Sequence, residues 1–259
     1  MNARFDEYTV SVNILDSYYR KLRNSLSCDV AIVGAGPSGL YAAGLLSARG
    51  RRVAVVESKL APGGGIWGGG MGMNEIVIQP EAVHVLEDLG MKAEKSGDVY
   101  VTDACLLAAK LTATAIERGA VLLNLLTAED VCVKDGRVTG VVANRTGISG
   151  RYHVDPVMFT ARAVLDATGH DAMLVNYLNK HGYRIGTPSG TFEGEGAMNV
   201  VEGENFVVER TGEVFPGLFL AGMAVCATFN GPRMGPIFGG MLLSGERAAG
   251  QIEAALAEA

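Results

Sequence analysis

The sequence predicts an α/β fold, a parallel sheet covered by helices with a β-hairpin excursion, and three observations carry that prediction. Residues 30–33 and 53–56 are short, uninterrupted apolar runs rich in valine, the pattern of parallel strands buried on both faces. Between them Gly34, Gly36 and Gly39 keep G-x-G-x-x-G spacing, and a helical stretch runs on to about Arg49. Asp135-Gly136 separates two β-branched runs over residues 131–142, a hairpin signature. Strand, glycines, helix, strand and then Glu57, in that order, read as a Rossmann-like dinucleotide-binding unit. Gly34 permits the tight turn, Gly36 lets backbone approach a pyrophosphate, and Gly39 lets helix pack closely on strand. The phosphates would meet the positive end of the helix, and Glu57 suits a ribose hydroxyl pair. A glycine-rich turn in a ligand-free domain is the bland alternative; five parts in the right order argue against it.

The remaining elements follow along the chain. Val12, Leu15, Tyr19, Leu22 and Leu26 recur at three- and four-residue steps, so an amphipathic N-terminal helix is expected over about residues 6–26, capping the sheet or binding a sister subunit. A glycine loop occupies 62–72, and Pro80 opens a short helix ending at Gly90. Asp103 is the expected N-cap of a helix over 104–118 that Gly119 closes. Residues 121–126, 163–169 and 217–222 read as strands, the last leading into a glycine loop at 231–240 and a helix from about Gly239 to the C-terminus.

At 259 residues, 48% hydrophobic and 19% charged, one large core is expected, hence a single domain over 1–259 with excursions. The net charge of −6 argues against nucleic acid or an anionic membrane as the main partner, because both reward a basic surface. No apolar signal core and no run of membrane-spanning length is found, so a cytoplasmic protein is the expectation. Cys28, Cys105, Cys132 and Cys226 are scattered without C-x-x-C spacing, which indicates neither a zinc knuckle nor a disulfide scaffold.

The order of fingerprint, hairpin, A-T-G turn at 167–169 and late strand-loop-helix resembles the glutathione-reductase-type dinucleotide-binding flavoproteins, which would imply FAD. Those flavoproteins usually end the late strand in Gly-Asp, whereas here Gly222-Met223 stands in that place. A thioether cannot supply a carboxylate's hydrogen bonds, so no FAD is expected. Segments 34–39, 57–58, 63–71, 153–156 (H-V-D-P), 168–171 (T-G-H-D) and 232–236 (P-R-M-G-P) together resemble the ADP-thiazole synthases of thiamine biosynthesis across almost the whole chain. That resemblance implies that NAD is a substrate and not a redox cofactor. Nicotinamide is lost, and the ADP-ribose is condensed with glycine and sulfur into an ADP-linked thiazole carboxylate. One branch of the family carries cysteine at the position of His153 and gives up its own sulfur; the other uses free sulfide and iron(II). His153 has no sulfur to give, so repeated turnover with an external sulfide is expected. Donation by another cysteine stays open, with Cys226 the candidate, three residues after Met223.

Residue roles carry over from the resemblance position by position. Asp155 and His170 are the iron(II) ligands, a carboxylate and an imidazole suited to that metal, with Asp155 coming from a neighbouring protomer. A homo-oligomer with shared active sites is thereby implied, and the family suggests an octamer. His153, with an acid–base role open to it, and Val154 join Asp155 against the NAD-derived ligand. Arg233 offers a forked pair of donors to the carboxylate of glycine. Ser38 and Gly65 are expected near phosphate or ribose, Ser58 near the adenosine ribose, Val131 at the adenine through its backbone, and Met223 against the ligand. Taken singly these residues have blander readings: His170 a structural hydrogen-bonder, Asp155 before Pro156 a turn residue, Arg233 a loop stiffener, Trp67 a packing anchor and not a lid. His84 and His181 receive no role. Two other functions stay open: an FAD-dependent oxidoreductase using NAD(P)H, which the lack of a second G-x-G-x-x-G weakens, and a non-catalytic NAD-binding scaffold.

Overall fold

The computed structural model describes residues 6–258. The main sheet has a parallel centre in which β11 (Leu218–Leu220), β9 (Val157–Asp166), β1 (Ser27–Val33), β2 (Val53–Glu57) and β6 (Val121–Asn124) lie side by side. The fingerprint unit folds as its sequence reads: β1 turns at Gly34 into α2 (Pro37–Ala48) and returns as β2, with Val30 opposite Val53 and Val33 opposite Val56. β10 (Gly212–Phe215) closes one edge antiparallel to β11.

The hairpin of β7 (Leu126–Lys134) and β8 (Arg137–Arg145) turns at Asp135 and Gly136, whose φ of 50° and 71° fit the two-residue turn that Asp-Gly favours. β9 joins it to the sheet, because its first residues pair antiparallel with β8 while its last pair parallel with β1 and β11. The backbones approach closely there, since a Cβ on Gly140 would lie 2.1 Å from the Phe159 carbonyl oxygen. The strand expected over 163–169 is thus the inner half of a longer one that ends at Asp166. The strand expected over 121–126 breaks at Leu125, whose φ of 58° turns the chain out of β6 and into β7.

One face of the sheet carries α2, α4 (Ala104–Glu117) and α8 (Gly239–Glu258) over a core that includes Leu40, Leu46, Leu107, Leu111, Leu242 and Ile252. Asp103 caps α4 as its position predicts, its Oδ1 accepting from Leu106 N at 2.6 Å. A small antiparallel sheet of β3 (Glu75–Ile78), β5 (Val99–Asp103) and β4 (Glu94–Ser96) packs on this side. Between β3 and β4 the short helix from Pro80 is a 3-10 turn, Pro80–Ala82, followed by α3 (Val83–Asp88). The other face carries the hairpin with α5 (Met173–Lys180), α6 (Val200–Arg210) and α7 (Met223–Thr228), over Phe159, Leu174, Leu178 and Val207.

The N-terminal helix α1 (Glu7–Ser25) is capped by Asp6, which accepts from Thr9 N at 2.8 Å. It meets the core through Tyr18, Leu22 and Leu26, whereas Leu15 and Tyr19 of the expected stripe stay exposed. Its apolar stripe is therefore wider than one chain covers. Among the described residues no helix is long and apolar enough to cross a membrane.

Candidate active site

The C-terminal ends of β1, β2, β9 and β11 open into a cavity of about 730 Å³, within the size range of small-molecule sites and at the place where open parallel sheets bind ligands. The glycines build its floor by three different means. Gly34 has φ of +98°, and a Cβ there would lie 2.3 Å from the Ala167 carbonyl oxygen. A Cβ on Gly39 would lie 2.1 Å from the Gly34 oxygen, so the helix can sit this close to the strand only without a side chain. Gly36 differs from both: a Cβ there would meet nothing within 4 Å. Open space faces its backbone, and as N-cap of α2 it offers no side chain to the first-turn N–H groups. A helix start that is positive and uncapped suits an anion.

Glu57 lines the cavity with both oxygens engaged: Oε2 accepts from Ala35 N at 2.7 Å and Oε1 from Lys59 N at 2.7 Å. Ser58 Oγ donates to the same Oε1 at 3.3 Å, so the carboxylate is aimed by its neighbours, with a lone pair on Oε2 left for a ribose. Ser38 stands in the wall, but its hydroxyl donates to the Met241 carbonyl at 2.7 Å; what it can offer a phosphate is backbone N–H. Gly65, Met223, His170 and Arg233 also line the cavity. Val131 does not: it is buried in β7, and Leu126, Thr127 and Ala128 of the same strand form that part of the wall.

His153, Val154 and Asp155 occupy an exposed segment between β8 and β9 and are not part of their own chain's cavity wall. Asn144 Nδ2 holds the Val154 carbonyl at 3.1 Å. One chain therefore does not bring Asp155 to His170. Trp67 is likewise outside the wall, its indole donating to the Pro62 carbonyl at 2.6 Å, which ties the glycine loop to itself. His84 and His181 pair at the surface with Glu246 and Asp130.

His170 sits in a 3-10 turn, Gly169–Asp171, that follows β9. A residue absent from the sequence reading organises that turn. Asp166 is fully buried and accepts from Thr168 N (3.0 Å), Thr168 Oγ1 (2.7 Å), Leu174 N (2.8 Å) and Val175 N (3.3 Å), which fastens the turn to the start of α5. Burial pushes its carboxyl above the usual range against the pull of those donors.

Glu195 is a second residue that sequence reasoning missed. Its Oε1 accepts from His170 Nδ1, and its Oε2 lies 3.6 Å from Arg233 Nε. The only local signal is an acid bracketed by Gly194 and Gly196, and no periodicity marks it. Among the described residues no group of three or more His, Cys, Asp or Glu is placed to hold a metal. His170 nevertheless fits a metal ligand, because Nδ1 is bonded to a carboxylate and Nε2 makes no hydrogen bond with the described residues. None of the four cysteines lines the cavity. Burial, then the charges of Glu195 and Glu204, push the Cys226 thiol up to about 12, and burial lifts Cys28 to about 11.

The Thi4 family model matches residues 11–238. A thiamine thiazole synthase of Pyrococcus horikoshii is 46% identical over 248 residues, covering 95% of this chain and 96% of the relative. One of Thermotoga maritima is 49% identical over 245 residues, covering 93% and 94%. The crystal structure of Thermovibrio ammonificans THI4 superposes with a TM-score of 0.94 at 40% identity, covering 98% of this chain and all of that one. With the fingerprint cradle, the T-G-H-D turn and the arginine loop converging on one cavity, this chain belongs to the Thi4 family of thiamine thiazole synthases.

Proposed function

We propose that this protein makes an ADP-linked thiazole carboxylate from NAD, glycine and free sulfide, with release of nicotinamide, in an iron(II)-dependent reaction of many turnovers. The observation that carries the reading is the place of sulfur in the chain. Position 153 is histidine where the sulfur-donating branch has cysteine, and no cysteine reaches the cavity. Cys226, the candidate by sequence, is fully buried and its raised thiol is not a nucleophile near neutral pH. In this reading sulfur comes from solution.

In this reading the first turn of α2 and Gly36 hold the pyrophosphate, and Glu57 with Ser58 holds the adenosine ribose. NAD is a substrate, and Met223 stands where a flavin would need a carboxylate, so FAD has no place. Arg233 binds the carboxylate of glycine. His170 and the Asp155 of a second protomer hold iron(II), which makes the working unit a homo-oligomer, an octamer by analogy with the family. When bound there, the metal supplies Lewis acidity toward a carbonyl or imine and a point of attachment for sulfide. His153 and Val154, carried with Asp155, close on the ribose-derived part of the ligand, His153 with an imidazole that can give or take a proton.

Anaerobic incubation with NAD, glycine, sulfide and iron(II), each omitted in turn, tests the reading. Thiazole formation that needs all four is the expected result. Bound yellow flavin with NAD(P)H-linked redox activity would replace it with an oxidoreductase, and NAD binding without thiazole would leave a scaffold.

A further inference from the structure

One carboxylate stands between the two side chains to which the proposed function gives different tasks. Glu195 Oε1 accepts from His170 Nδ1, while Oε2 lies 3.6 Å from Arg233 Nε. The Glu195 side chain is 20% exposed against 58% for His170 and 51% for Arg233, so the anion is the sheltered member of the three. Its backbone is clamped along the arginine loop: Glu193 N donates to the Thr228 carbonyl (3.2 Å), Gly196 N to that of Gly231 (2.8 Å) and Asn199 N to that of Arg233 (3.0 Å). His170 comes from the turn after β9, so the carboxylate ties together two separately anchored segments.

We propose that Glu195 is a positioning residue that sets both His170 and Arg233, an inference that rests on their proposed metal and glycine roles. A neutral imidazole carries its proton on one ring nitrogen and a lone pair on the other. A carboxylate at Nδ1 places the proton there and leaves the Nε2 lone pair for a metal, the arrangement by which outer carboxylates orient metal-bound histidines. On the other side, Glu195 faces Arg233 through Nε, and neither Nη atom hydrogen-bonds a described residue. The free Nη1/Nη2 edge is the one that grips a carboxylate with two parallel bonds. A single anion thus aims the metal ligand and the substrate clamp at the same cavity.

The test uses the intact oligomer, with isotope-labelled histidine for NMR and cobalt(II) as the metal probe. The chain has only four histidines, so His170→Ala assigns the signal. In metal-free wild type His170 is expected as the Nδ1–H tautomer, and in Glu195→Ala mainly as Nε2–H. Cobalt(II) affinity of Glu195→Ala should fall 10- to 100-fold, the usual effect of losing such a partner, with ADP affinity unchanged. Glu195→Gln preserves size and an acceptor for Nδ1–H, so it should keep the tautomer but raise the KM for glycine more than it lowers kcat. A Glu195→Ala protein with wild-type tautomer and cobalt affinity would overturn the His170 role, and an unchanged glycine KM in Glu195→Gln would overturn the Arg233 role. Should His170→Ala bind cobalt(II) as tightly as wild type, the metal assignment itself falls, while the tautomer measurement still judges Glu195.

Discussion

Replacing Gly36 with alanine separates binding from folding in a way the neighbouring glycines do not. Gly36 has φ of −77°, which any residue adopts, and a Cβ there meets nothing within 4 Å. Alanine is a poorer N-cap than glycine by about 1 kcal/mol. It also narrows the unfolded ensemble, a gain of about 0.4–1 kcal/mol. The two nearly cancel, so stability should stay within about 1 kcal/mol of wild type. Gly39→Ala is the control: its Cβ would lie 2.1 Å from the Gly34 oxygen and 3.2 Å from Ala167 Cβ. Overpacking of this kind costs about 1–3 kcal/mol, and in a chain of this size each kcal/mol lowers Tm by roughly 2–4 °C. The methyl of Gly36→Ala occupies the space through which backbone would approach the pyrophosphate, so NAD affinity should drop at least tenfold, or about 1.4 kcal/mol. Thermal melts paired with calorimetric titration of NAD read both quantities. A Gly36→Ala protein that binds NAD as tightly as wild type would refute the pyrophosphate assignment.

Three further outcomes are expected. His170→Ala and Asp155→Ala should each abolish turnover while ADP still binds in titration calorimetry, and mixing the two inactive proteins under subunit exchange should restore some activity if the site is shared between protomers. Cys226→Ala should keep turnover near wild type, with a loss in Tm from the small void, because a buried thiol raised to about 12 donates nothing; loss of activity in a folded variant would reopen protein-derived sulfur. Glu204, on α6, is buried against the start of α8, accepts from Gly240 N, and has its other oxygen, Oε1, without a hydrogen-bond partner among the described residues, as has Gln79 Oε1. Burial raises its carboxyl, so the folded state holds the proton more tightly than the unfolded state, and stability falls as pH rises through the folded value. Glu204→Gln should therefore stabilise by about 1 kcal/mol near neutral pH, a gain that fades below the ordinary carboxylate range in urea melts; a pH-independent difference would contradict it.

The parts that sequence revealed are those whose information is local. β1, α2 and β2 follow from contiguous apolar runs and three glycines, α4 from its Asp103 cap, and the hairpin from Asp135-Gly136. The small sheet escaped because β4 is three polar exposed residues and β3 only four long, too short for alternation to register. Helices α5 and α7 escaped because six to eight residues give little periodicity, and α5 takes its start from Asp166, a cap seven residues upstream of the helix. Within the site, glycines, Glu57, Met223 and Arg233 were legible through motifs. Glu195 was not, because it meets His170 across 25 residues of chain and Arg233 across α6, β10, β11 and α7. No spacing rule fixes which residue of a strand faces a cavity, which is why Leu126, Thr127 and Ala128 of β7 were not singled out as wall residues.

In the proposed reaction sulfur comes from solution and not from the chain. Counting product molecules per protomer in an anaerobic reaction with excess NAD, glycine, sulfide and iron(II), with intact-protein mass measured before and after, tests it most directly. Many thiazoles per protomer and an unchanged chain mass are the expected result. At most one thiazole per protomer, with a chain lighter by the elements of hydrogen sulfide, would contradict it.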